Sequence, residues 1–227
     1  YFLNNANIWL WGLIGNRDTK GWEWASSSKD YPELGGRVQL PIPTGEIAVT
    51  YHHREMDFSG QDIVLPEFLR AKEDRYGFDT RMDWVVGMWF EGAWVRSRRN
   101  IGVLTNQTII NIGVDYTFGI GNGLYTICEH LITSSDAQPF DMGNTVNFSL
   151  LSLSYPIGIF DSVGAIAYYN WDSDQVYTFI NWQRQYNSLS IHLMAYWNPK
   201  SFDLPQQNLG SNMFGGKGAQ VMLVFNH

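Results

Sequence analysis

Between Gly218 and His227 the side chains alternate in character. Ala219, Val221, Leu223 and Phe225 take one parity; Gln220, Met222, Val224 and Asn226 take the other. In an extended chain successive side chains point to opposite faces. One face of this segment is therefore apolar and ends on an aromatic ring. The same two-residue rhythm recurs. In 106–117, Ile110, Ile112, Val114 and Tyr116 oppose Asn111, Gly113, Asp115 and Thr117. In 35–42, Val38, Leu40 and Ile42 oppose Arg37 and Gln39. This period predicts strands with one apolar and one polar face.

Applied along the chain, the pattern predicts about twelve strands, each near the ten residues that a tilted strand needs to cross a bilayer. They cover 7–14, 35–42, 46–54, 76–84, 88–97, 106–117, 123–133, 144–154, 162–171, 175–183, 188–197 and 218–226. Strand 7–14 is apolar on both faces. In strand 144–154 the rhythm changes phase at Leu150-Leu151, which predicts a bulge. The connections nearly alternate between long (15–34, 55–75, 134–143, 198–217, with 98–105 intermediate) and short (Pro43-Thr44-Gly45, Val85-Val86-Gly87, 118–122, 184–187), and 155–161 holds Pro156 and Gly158. The short connection 172–174 breaks the alternation. Hairpin partners must share a face. A turn at Val86 sets Trp84 against Met88, Met82 against Phe90, Phe78 against Trp94, and Arg81 against Glu91. A turn at 184–187 sets Trp182 against Leu189, Ile180 against Ile191 and Thr178 against Leu193.

Composition sharpens the picture. Aromatics make up 15% of the 227 residues, with 10 Trp and 12 Tyr, and charged residues only 16%. A soluble domain carries roughly 25% charged residues. No apolar run approaches the roughly 18 residues of a membrane helix; the longest, Ile8 to Ile14, is strand-sized. Trp84, Trp94, Tyr51, Tyr116, Trp171, Trp182, Trp197 and Phe225 fall near predicted strand ends, where rings form interfacial girdles. The single Cys128 excludes an internal disulfide and cysteine-based metal clusters. A net charge of −7 argues against nucleic acid. No export leader is visible and the sequence opens at Tyr1, so we read it as a mature or trimmed chain.

These features together resemble bacterial outer-membrane β-barrels, in particular the twelve-stranded class. The residues that carry the resemblance are Ala219, Val221, Leu223 and Phe225 as a closing strand. Here Asn226 and His227 follow Phe225, where the usual pattern ends on the aromatic. The resemblance implies an all-β, closed, antiparallel up-and-down transmembrane barrel of about 12 strands. Both termini would be periplasmic, long loops extracellular and short turns periplasmic. It implies one domain over 1–227, or the C-terminal part of a larger barrel. The class includes small-solute porins, a phospholipase and autotransporter translocators. The implied localisation is the bacterial outer membrane, with membrane lipid and lipopolysaccharide as surroundings.

A charge cannot face lipid at mid-depth without a cost of about 2–4 kcal/mol for Arg or Lys. The polar parity therefore marks the expected lumen lining: Arg37, Gln39, Glu46, His52, Arg54, Asp79, Arg81, Asp83, Glu91, Asp115, Glu129, Gln183 and His192. In one reading these groups line a hydrated path for small polar solutes or ions. In the other they pair, fill the lumen, and the long loops hold another protein. Eight strands leave a filled interior and sixteen an open channel, so twelve suits a narrow pore. The lining mixes Arg37, Arg54 and Arg81 with several carboxylates, unlike the arginine tracks of acidic-oligosaccharide porins.

Other candidates carry less. Pro66, followed by Phe68, Leu69 and Ala71, predicts a short helix start in loop 55–75. His52 and His53 are adjacent in a strand, point to opposite faces and cannot share a metal. Asp172-Ser-Asp174 reads as a tight turn rather than a calcium site. Gly119-Ile-Gly121-Asn-Gly123 lacks the helix of a phosphate loop. His130 near Ser134 and Ser135, and His53 near Ser59, lack the spacing that would align a nucleophile and base on one strand face. We expect no enzyme activity, metal or cofactor.

Overall fold

The computed structural model describes residues 5–21, 23–59, 68–200 and 214–225. The chain is almost entirely strand: β1 (Asn7–Leu13), β2 (Ser26–Ser27), β3 (Glu33–Ile42), β4 (Gly45–Asp57), β5 (Arg70–Asp83), β6 (Gly87–Ser97), β7 (Asn106–Phe118), β8 (Leu124–Asp136), β9 (Thr145–Pro156), β10 (Asp161–Asn170), β11 (Gln175–Gln185), β12 (Leu189–Trp197) and β13 (Lys217–Phe225). A 3₁₀ turn covers Gly102–Leu104. Among the described residues no helix is long and apolar enough to cross a membrane.

The sheet is antiparallel and up-and-down. Its order follows the sequence from β1 through β3 to β13, with β2 beside β4 and off this path. The expected closure is not present: β1 and β13 are the two ends of the path, and among the described residues the sheet is not closed into a barrel. Among the described residues β1 is zipped to β3 and β13 to β12, each at an end of the order. Closure needs one further ladder, and the described residues do not make it.

Chain packing divides into two compact units. The first holds Tyr1–Trp84, Met88–Ile112 and Leu131–Val146; the second holds Val85–Gly87, Gly113–His130 and Asn147–His227.

In the first unit, β4 outruns β3. The β3 ladder on β4 ends at Leu34 opposite His53, and β2 takes over, with Ser27 opposite Met56 and Ser26 opposite Asp57. Segment 15–34 is thereby stitched onto the end of β4. Around that end Ala25, Met56, Phe58, Ala71 and Ile101 form a small buried cluster, with Trp24, Phe68 and Leu104 packed on it. Burying a side chain such as Met56 contributes about 1.5–3 kcal/mol. The cluster sits where a long loop meets strand ends, not along the apolar faces of the strands. Gly35 has a specific reason to be glycine. It stands opposite Trp11, whose indole occupies the space a Cβ would need.

In the second unit, β9 to β13 form one continuous ladder. Its apolar parity runs Leu153, Ala165, Ile180, Ala195 and Ala219 across five strands, and Val163, Trp182, Leu193 and Val221 across four. Among the described residues its large side chains stand exposed: Val221, Leu223 and Phe225 are 65%, 65% and 67% exposed. The opposite parity carries Tyr168 against Tyr177 and Phe179 against Tyr196, with Phe214 packed edge-on to both of the latter. Tyr177 is fully buried.

Three local expectations are corrected. The bulge at Leu150-Leu151 is absent; β9 pairs with β10 in one unbroken register from Pro156 to Phe148. The β11–β12 register is offset by four residues, with Trp182 opposite Leu193, Ile180 opposite Ala195 and Thr178 opposite Trp197. The reason is that β11 continues to Gln185, so the chain reverses at 186–188. Because the offset is even, each side chain keeps its face. The β5–β6 turn is likewise displaced. Arg98 N–H donates to Lys72 C=O, Tyr76 stacks on Trp94, and Phe78 meets Phe90. Trp94 therefore sits beside Tyr76, where the sequence expectation had Phe78. The helix start at Pro66 lies outside the described residues.

Candidate functional site

The polar face of the first unit brings together Arg37, Gln39, Glu46, His52, Arg54 and Asp79 from the expected lining. β3, β4 and β5 are registered so that Arg37 stands opposite Thr50, Gln39 opposite Ala48 and Ala48 opposite Asp79. Arg37 reaches across β4 and forms a two-pronged pair with Asp79, Nη1–Oδ2 at 2.5 Å and Nη2–Oδ1 at 2.7 Å. Its Nη1 also donates to Thr50 Oγ1 at 3.2 Å. Gln39 donates to Glu46. Arg81 meets Asp83 at 3.2 Å, and both are exposed.

Higher on the same face the pairing becomes denser. Arg54 is fully buried. Its Nε lies 2.7 Å from Glu73 and its Nη1 3.0 Å from Glu23. Nη1 also donates to Ala25 C=O at 2.9 Å and to Ser27 Oγ at 3.2 Å. Arg75 bridges the same two carboxylates, 3.0 Å from Glu23 and 2.6 Å from Glu73. Lys20 holds Glu33 at 2.5 Å, and His52 Nε2 lies 3.2 Å from Glu33. The cluster balances: Lys20, Arg54 and Arg75 against Glu23, Glu33 and Glu73. Such a set is stable only because it is complete. Removing one partner of a buried pair costs about 3–5 kcal/mol, as the other charge is left dry. Its effect is to bind segment 15–34, through Lys20, Glu23, Ala25 and Ser27, to the polar face of β4 and β5.

His52 and His53 face opposite ways, as the strand period requires. His52 turns to Glu33 and the Trp11 ring, whereas His53 Nδ1 lies 2.8 Å from Asp74. No group of three or more metal-ligating side chains is found among the described residues. Glu91 is exposed on β6.

The remaining lining residues fall in the second unit and are not gathered into one site. Asp115 lies against Gly87, Glu129 acts electrostatically on Tyr168, and Gln183 stands opposite His192, itself opposite Met222. Asp172 and Asp174 belong to a tight turn. Asn170 caps it by accepting from the Asp172 and Ser173 N–H groups, and Asp174 takes the left-handed conformation.

Sequence reasoning missed Lys20, Glu23, Glu33, Glu73 and Arg75. The last two had a readable signal. Ala71, Glu73, Arg75, Gly77 and Asp79 share one parity, so the strand could have been extended upward from Asp79. It also missed a trio on the apolar face of the second unit. His130 Nδ1 and Trp171 Nε1 each lie 2.9 Å from Ser149 Oγ. The partner of His130 is across strands, not along one. A hydroxyl beside an imidazole is the start of a nucleophilic site. Acyl transfer further needs a group that orients the ring and donors for the oxyanion. Among the described residues no carboxylate or amide bonds the His130 ring.

No family model, curated protein or solved structure matches the chain.

Proposed function

We propose that the chain forms the wall of an outer-membrane β-barrel through which small polar solutes or ions pass by diffusion, without cofactor or catalysis. The observation that carries this reading is the assignment of the two faces. Large apolar side chains stand uncovered on one parity (Val49, Phe78, Ile180, Val221, Leu223 and Phe225 among them), while the charges of β3–β5 meet one another on the other. In water an uncovered apolar face of this extent drives association. Against hydrocarbon it is the favourable arrangement, and polar groups must then turn inward or pair. Hydrocarbon also leaves no strand edge unpaired. The proposal therefore requires the sheet to close in the membrane, with the even number of path strands bringing both ends to the periplasmic side.

Fixed charges on the polar face, such as the Arg81–Asp83 pair, would bias which ions pass. Planar-bilayer recording with the folded, heat-modifiable full chain tests this. Unit conductance steps are expected, and their absence contradicts an open path. A second reading is favoured by the buried Arg54 cluster, which ties segment 15–34 across the polar face. If that segment fills the lumen, the barrel is a plugged scaffold whose long loops hold a protein partner. Silent bilayers together with a stoichiometric partner in mild detergent are the expected result for that case.

A further inference from the structure

We infer that Lys72, Arg96, Arg98 and Arg99 form a shelf that binds the phosphate of an anionic membrane lipid headgroup. This rests on the membrane reading above. The apolar parity of the first unit changes character in steps along the strands. Val49, Phe78 and Phe90 come first. A row of rings follows, with Tyr51 against Tyr76 at 5.4 Å, Tyr76 stacked on Trp94 at 5.4 Å, and Trp94 against Phe140 at 4.8 Å. Directly beyond the rings stand the cations. The Arg96 guanidinium lies over Trp94, 6.0 Å from its centroid. Arg98 grips Asp74 with two bonds, at 2.6 and 3.0 Å, and Asp74 also accepts from Tyr51 Oη at 2.7 Å. The hydrogen bond from Arg98 N–H to Lys72 C=O sets Lys72 alongside. Arg99 lies over the Phe68 ring at 4.7 Å.

Among the described residues, Arg98 pairs with Asp74, while Lys72, Arg96 and Arg99 have no carboxylate within 4.0 Å. Glu55 stands opposite Lys72 and turns to Arg70 at 3.8 Å, which Asp30 at 2.7 Å and Asp57 at 4.0 Å share. Bonding to Asp74 raises the Arg98 pKa, so that side chain stays charged. Aromatic rings place the headgroup level, and arginines just above it offer forked donors to phosphate oxygens. A lipid bound here lays its chains over Phe78 and Phe90 and its phosphate among the guanidiniums. A free anion gains nothing from that apolar wall, which is why we assign the site to lipid.

The test uses the full chain folded in detergent and compares retention of phosphatidylglycerol and phosphatidylcholine by native mass spectrometry. The variant combines Lys72→Gln, Arg96→Gln and Arg99→Gln, leaving Arg98 to hold Asp74. The wild type should prefer phosphatidylglycerol, and the preference should fall roughly fivefold for each cation removed. Insertion into phosphatidylcholine vesicles should be unchanged. Equal preference in wild type and variant, or none in a wild type that inserts, overturns the site alone. Displacement of the lipid by millimolar inorganic phosphate makes it a free-anion site and also overturns the assignment. A wild type that does not insert at all overturns the membrane reading and the site with it.

Discussion

The polar faces of the two units solve one problem with different chemistry. In the first unit, β3, β4 and β5 carry full charges that are matched partner by partner: Arg37 with Asp79, Arg54 and Arg75 with Glu23 and Glu73, Lys20 with Glu33. In the second unit the same parity of β9 to β13 carries rings and neutral polar groups: Tyr168, Tyr177, Phe179 and Tyr196 beside Asn181, Gln183, His192 and Gln220. A charged face holds its shape only while every partner is present. A face of rings and amides tolerates the loss of one polar group, because its energy is spread over packing. The first unit is thus built for a fixed charge pattern and a docked segment, and β9 to β13 of the second for a firm wall of rings and neutral polar groups.

The sharpest way to break that contrast is Arg54→Ala. It leaves the buried Glu23 and Glu73 to share Arg75 alone, two carboxylates against one cation, and should cost about 3–5 kcal/mol in denaturant unfolding. Gln183→Ala, at an equivalent parity in the second unit, should cost about 0.5 kcal/mol or less. Equal losses would remove the distinction. Next in size is Leu223→Arg on the uncovered face, which should destabilise the protein in lipid by about 2–4 kcal/mol if that position lies at mid-depth. Gln220→Arg on the opposite parity of the same strand should be nearly neutral by the same measurement.

Gly35→Val forces a side chain into the Trp11 indole and should cost about 1–3 kcal/mol, with the Trp11 fluorescence signal displaced. Unchanged stability and fluorescence would mean that Trp11 is free to move aside. The smallest effect is expected from Arg81→Ala. Stability should be retained, because Arg81 and Asp83 are exposed, while reversal potentials in asymmetric salt shift towards cations. Unchanged reversal potentials would place Arg81 off the permeation path.

Much of this was legible in the sequence, for a physical reason. A two-residue rhythm is local, so strand 106–117 emerged as Asn106–Phe118 and strand 218–226 as Lys217–Phe225. Where one end of a strand turns charged, the rhythm loses contrast. Arg70 to Arg75 therefore read as loop, and β5 began six residues earlier than expected. Register was less legible than face, because it depends on where the chain reverses. The 184–187 turn kept every face and shifted every partner. The candidate site was only half visible. Arg54, Arg37 and Asp79 stood out as charges of the polar parity, but Lys20 and Glu23 come from a loop, and no periodicity announces which strand a loop residue will meet. The Ser149–His130 contact was invisible for a related reason: it depends on which strands are neighbours.

The central claim is that the uncovered apolar parity faces hydrocarbon. The most direct measurement is a labelling scan of β13 in lipid vesicles, with Cys128 first replaced by Ser. Single variants Gly218→Cys, Ala219→Cys, Gln220→Cys, Val221→Cys, Met222→Cys and Leu223→Cys would each carry a fluorophore, challenged with a lipid-borne and then a water-borne quencher. The account predicts strict alternation, with positions 219, 221 and 223 quenched from the lipid and 218, 220 and 222 spared. Uniform quenching from water along the strand would contradict it.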